Sequence, residues 1–157
     1  MSSEPAIKKE GSFGLVEQFR KLAQRIALPS LTLTAVEHGA SKAFQFELRN
    51  PWYTSVPVST VMSIGLTING YAIDEQNVEY VIREQAIPFS YARYLHEVIW
   101  GLGESVFVRI IDPKITEIIK EHNDVTFDLM LRTAFEGYHL PDNRINYPFN
   151  VEMEVSI

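Results

Sequence analysis

The sequence predicts a mainly β protein: an antiparallel two-sheet sandwich or jelly roll, with a short N-terminal amphipathic helix. Three observations carry that expectation. From Leu31 onward apolar residues alternate with polar ones, the period of two that puts one face of a strand in a core. An Asn69-Gly70 pair separates two such runs, and Asn-Gly readily supplies the two positive-φ residues of a tight hairpin turn. About seven or eight β-rich runs follow one another without a β-α-β rhythm, which points to two packed sheets.

Residues 1–14 mix Ser, Pro, Gly and charge without periodicity and read as a flexible tail. Residues 15–157 read as a single domain, with a helix over 15–27 and the β-sandwich over 30–157. In the helix, Leu15, Val16, Phe19, Leu22, Ala23 and Ile26 recur at spacings of three and four, and Pro29 ends the run. Leu31, Leu33 and Ala35, then Phe44, Phe46 and Leu48, mark two strands joined by a polar connection over 37–42. The Asn-Gly hairpin joins 64–68 to 71–73. Runs rich in branched and aromatic residues at 78–83, 105–111, 125–135 and 149–157 supply further strands. The aromatic-rich stretch 86–103 is too irregular for a strand and reads as a long functional loop with room for one helical turn.

With 157 residues, 46% hydrophobic and 22% charged, the chain is long enough to bury one substantial core and too apolar to remain disordered. A net charge of −6 and a pI near 5.2 oppose nucleic-acid binding, which begins with a basic stripe neutralising phosphates. The chain has no cysteine, which excludes disulfides and thiolate chemistry and is compatible with a reducing compartment. The cytoplasm is the expected location. The start of the chain lacks the roughly 7–15-residue apolar stretch of a secretory signal. No apolar run approaches the roughly 18 residues of a membrane span, so no membrane association is expected.

His38, His96, His122 and His139 are scattered and show no close metal-binding spacing; surface or hydrogen-bonded roles account for them. Glu47, Glu79, Glu104, Asp128 and Glu152 alternate with apolar neighbours, as a solvated sheet face requires, without invoking paired-carboxylate catalysis. Nucleophile-elbow, phosphate-loop and dinucleotide motifs are absent from the sequence. The unusual feature is the aromatic content of the predicted loops. Tyr and Trp cover much area at low entropic cost and keep a polar tip, which suits a contact surface.

The run Arg49-Asn50-Pro51-Trp52-Tyr53-Thr54-Ser55-Val56-Pro57-Val58-Ser59-Thr60-Val61 resembles the small (beta) subunit family of C-glycoside deglycosidases, whose pattern is approximately Arg-x-Pro-Tyr-Tyr-Arg-Gly-x-Pro-Leu-Ser. The likeness continues through Ile64 to Gly70, Ile73 and Val78-Glu79-Tyr80-Val81-Ile82, and covers roughly Thr32 to Ile157. Thr54-Ser55-Val56 stands where the family has Arg-Gly-x, and Asn69 stands in place of Asp.

The resemblance implies a hetero-oligomeric carbon–carbon lyase, not catalytic through this chain alone. It would cleave the bond between sugar and aglycone of flavonoid-type 3-oxo-C-glycosides in carbohydrate metabolism. A large (alpha) TIM-barrel subunit, similar to sugar isomerases, would hold a divalent Mn or Mg and the catalytic groups; no cofactor is expected on this chain. The substrate would lie at or near the subunit interface. The candidate contact or pocket residues are Trp52, Tyr53, Tyr94, His96, Trp100, Tyr138, His139 and Tyr147. Two other readings remain at this stage: a free-standing carbohydrate-binding β-sandwich module, and a self-sufficient sugar-modifying enzyme with paired carboxylates.

Overall fold

The structure, a computed structural model, describes residues 22, 24–51, 54–132 and 144–156. The expected tail, most of the expected helix, Trp52, Tyr53, Tyr138 and His139 lie outside the described residues. Of the helix, Leu22 and 24–27 are helical, and the Leu28 amide donates to the Gln24 carbonyl at 2.9 Å. Ala27 and Leu28 are buried in the core. Among the described residues, no helix is long and apolar enough to cross a membrane.

Eleven strands follow in chain order: β1 (Thr32–His38), β2 (Ser41–Arg49), β3 (Val56–Pro57), β4 (Val61–Ile68), β5 (Tyr71–Ile73), β6 (Val78–Ile82), β7 (Gln85–Pro88), β8 (Ile99–Trp100), β9 (Ser105–Ile110), β10 (His122–Arg132) and β11 (Arg144–Ser156). Their hydrogen bonding departs from two comparable sheets. One nine-stranded sheet runs in the order β5-β4-β10-β11-β1-β2-β9-β6-β7, beside a two-stranded ribbon of β3 and β8. Among the described residues, every pairing is antiparallel except β1 with β11.

A continuous sheet can still enclose a core if it curls. Phe46 on β2 and Phe127 on β10 are separated by β11 and β1 in the sheet order, about 14 Å apart if the sheet were flat. Their ring centroids are 5.3 Å apart. The two halves of the sheet therefore fold toward each other around one hydrophobic cluster. Alternation supplies that cluster: Phe44, Phe46 and Leu48 of β2, Ile64, Leu66 and Ile68 of β4, and Val125, Phe127, Leu129 and Leu131 of β10 all point inward.

The stretch 86–103 is more regular than its sequence predicts. β7 opens it, a helical turn at Phe89–Ala92 follows, and β8 closes it by pairing with β3. Two turns show how glycine is used and avoided. Asn69 and Gly70 both take positive φ, as the Asn-Gly hairpin predicts. Between β6 and β7, Arg83 and Glu84 adopt φ of 48° and 70°, a left-handed conformation that costs a residue with a Cβ roughly 1–2 kcal/mol.

Candidate functional site

The segment from Phe89 to Glu104 forms a strap between β6 and β4. Its anchors are Phe89, which meets Tyr80 edge to face at 5.3 Å, and Trp100, which lines a small apolar cavity with Val58, Val61, Tyr80, Ile82 and Val106. Backbone hydrogen bonds fasten the strap to the facing loop: Val58 N–H donates to the Val98 carbonyl at 2.8 Å, and Ser59 N–H to the Leu95 carbonyl at 3.3 Å.

Side chains lock the same junction. Asn50 is buried, and its Nδ2 lies 3.0–3.2 Å from the carbonyls of Thr54, Trp100 and Gly101. Trp100 Nε1 donates to the Glu104 carbonyl at 2.8 Å. Glu104 Oε1 accepts from the Gly101 amide at 2.8 Å and from Arg83 at 2.9 Å. The Leu102 amide donates to Ser55 Oγ at 2.8 Å. Asn50 and Ser55 therefore hold the residues on either side of Trp52 and Tyr53. A buried polar side chain with partners on two loops specifies geometry, because losing those partners would leave its amide unsatisfied.

Among the side chains that the strap exposes, Tyr94 is 69% exposed, Tyr91 63%, Leu102 63% and Ile99 41%, interspersed with exposed Ser90, Arg93, His96 and Glu97. Tyr94 is one of the candidate contact residues, and Tyr91 is one of the loop aromatics that suggest a contact surface; the sequence reading did not single out Ile99 and Leu102. Ile99 precedes Trp100 in the strand β8, so its outward direction follows once Trp100 points inward; Leu102 lies in the turn between Gly101 and Gly103. His96 is exposed, with Nδ1 3.0 Å from Ser59 Oγ.

Trp100 belongs to the same candidate set. It is 2% exposed, and its indole N–H is satisfied within the chain, so it supports the surface from beneath. Tyr147 is half-buried against the core. It pairs with Leu129 on β10, whose neighbour Leu131 pairs with Val61 beside the strap's loop. β10 and β11 flank residues 133–143, which contain Tyr138 and His139.

Among the described residues no three His, Cys, Asp or Glu side chains converge as a metal site. His38 lies 3.4 Å from Glu79, and His122 lies 3.3 Å from Glu152 and 3.7 Å from Glu154, each remote in sequence from the strap. Two tyrosines have raised pKa values at structural positions. The hydrogen bond to Asp112, with some burial, raises the Tyr71 hydroxyl, and burial raises Tyr80.

A mainly β chain with an interlocked strap and an exposed aromatic surface has the features of an assembly or binding component. The family model for the C-glycoside deglycosidase beta subunit matches residues 24–135, more than two thirds of the chain, and the chain belongs to that family. It is also similar to a "3'-dehydrocarminate deglycosidase beta subunit" from Microbacterium sp, at 25% identity over 79 residues, which is 50% of this chain and 57% of that relative. The chain thus spans a little over half the length of the relative it matches.

Proposed function

We propose that this chain is the small subunit of a heteromeric C-glycoside deglycosidase and that its strap docks on a larger TIM-barrel subunit carrying a divalent metal and the catalytic groups. The observation that carries this reading is the exposure of Tyr91, Tyr94, Ile99 and Leu102 on a rigidly anchored segment in a member of a beta-subunit family. Exposed aromatic and aliphatic side chains on a fixed scaffold lose little entropy on binding, and they bury well in an interface core.

The reaction on this reading is elimination from a 3-oxo-C-glycoside. The ketone acidifies the C2 hydrogen, a base removes that proton, and the electron pair forms a C1–C2 double bond. The bond from C1 to the aglycone breaks, and the aglycone carbon takes up a proton. A divalent metal on the partner would supply Lewis-acid stabilisation of negative charge developing on the ketone oxygen. This chain's share is to close the site against water and to shape the aglycone side of the pocket with the strap and with Trp52, Tyr53, Tyr138, His139 and Tyr147.

Co-expression with a sugar-isomerase-like subunit, co-purification and a manganese-supplemented assay on a 3-oxo-C-glycoside test this directly. A complex active only with both subunits supports the reading. No complex and no cleavage would refute it.

A further inference from the structure

The half of the sheet formed by β2, β9 and β6 sends Phe46, Leu48, Val106, Val108, Tyr80 and Ile82 into the core. Its opposite face is not an ordinary solvated one. The register sets Phe107 between Glu47 and Val81, and Arg109 between Gln45 and Glu79. Phe107 is 36% exposed in the middle of this face. Around it, Gln45, Val81, Arg83, Glu84, Ser105 and Arg109 line an open cavity of about 490 Å³, within the size range of small-molecule sites.

The polar groups are ordered around the ring. Arg109 Nε donates to Gln45 Oε1 at 3.0 Å, which fixes the guanidinium plane. Ser105 Oγ donates to Glu47 Oε2. Arg83 is held by Glu104 and by the Ile99 carbonyl. The rim also carries a local cost. Arg83 and Glu84 form a two-residue hairpin turn with positive φ at both positions, where Asn-Gly would fit without strain and is used by this chain at Asn69-Gly70. Strain retained at a cavity rim points to a use for the two side chains.

We propose that this face is a binding site for the sugar ring of a glycoside, separate from the strap. Phe107 provides a flat apolar platform for the C–H face of the ring. Arg109, Arg83, Gln45 and Glu84 offer donors and acceptors together, as vicinal hydroxyls require. Guanidiniums and carboxylates are interspersed, which favours a neutral polyhydroxylated ring over an anion.

The test is ligand-observed NMR on the full chain with methyl β-D-glucoside, and with benzoate as an anionic aromatic control. Saturable binding of the glucoside in the millimolar range is expected. Phe107→Ala and Arg109→Gln should each weaken it at least about fivefold. Glu84→Gly should weaken binding while raising the melting temperature, a combination that a merely structural Glu84 would not give. No glucoside binding, unchanged affinity in all three variants, or tighter binding of benzoate would overturn the proposal. Neither a second subunit nor turnover enters the measurement, so its failure would leave the subunit reading standing.

Discussion

Asn69 does two jobs that only an amide performs together. Its backbone takes positive φ in the hairpin turn. Its Nδ2 lies 2.9 Å from both the Ile118 carbonyl and Asn123 Oδ1, while its Oδ1 accepts from the Asp124 amide at 2.9 Å. The sequence revealed the turn but not this clasp, because the partners are about fifty residues away along the chain. An aspartate keeps the turn and the accepted bond but has no hydrogens to donate, so Asn69→Asp should lower stability by about 1–3 kcal/mol, read by denaturant unfolding. The burial of Trp100 was not legible for a similar reason. A tryptophan beside turn glycines reads as a loop aromatic, whereas its burial depends on Val58, Val61 and Tyr80 from elsewhere in the chain. Trp100→Ala should cost about 3–5 kcal/mol and lower the melting temperature.

Tyr80 makes a pH prediction at the same scale. Its hydroxyl is buried and has no hydrogen-bond partner among the described residues. Burial raises its pKa above the usual tyrosine value, with a smaller contribution from Glu75. A raised pKa keeps the proton on the folded protein, so the stabilisation is present below about pH 10 and is lost as pH rises beyond that, where the unfolded tyrosine ionises first. Because the hydroxyl is buried without a partner among the described residues, Tyr80→Phe should stabilise the protein by about 1 kcal/mol at neutral pH. It should also make the alkaline decline shallower by about 1.4 kcal/mol per pH unit, measured as melting curves from pH 9 to about 11. An unchanged alkaline slope would contradict the assignment.

Among the elements, strands were the most legible because alternation is a local signal. β10 follows it through all eleven residues, from exposed His122 to exposed Arg132 with Asn123, Val125, Phe127, Leu129 and Leu131 buried between. The short pieces β3, β7 and β8 were not legible. Two to four residues carry too little periodicity, and their pairing depends on the strap's tertiary fit. The turn between β6 and β7 makes an element-scale prediction. Glu84→Gly relieves a positive-φ position, so it should raise stability by about 1 kcal/mol in equilibrium unfolding, and a loss of stability would mean that the Glu84 side chain holds the hairpin.

For the whole molecule, the sequence predicted two sheets because strand count and hairpin spacing are the same for a sandwich and for one curled sheet. The difference lies in the parallel pairing of β1 with β11, which joins the two halves and brings residues 32–34 beside 154–156; no local pattern encodes that contact. The candidate contact surface was legible as an aromatic-rich stretch. Which side chains point outward was set by the fold, as Trp100 turning in and Ile99 turning out illustrate.

Docking through that surface is measured by co-purification of the chain with the proposed large subunit, comparing the natural sequence with the Tyr94→Asp, Leu102→Asp double variant. Both side chains are mostly exposed, so the double variant should keep its melting temperature within about 1 kcal/mol of equivalent stability. It should lose the proposed partner, and the joint activity with it, by at least about a hundredfold. A folded double variant that still co-purifies and supports full turnover would contradict the strap as the docking surface.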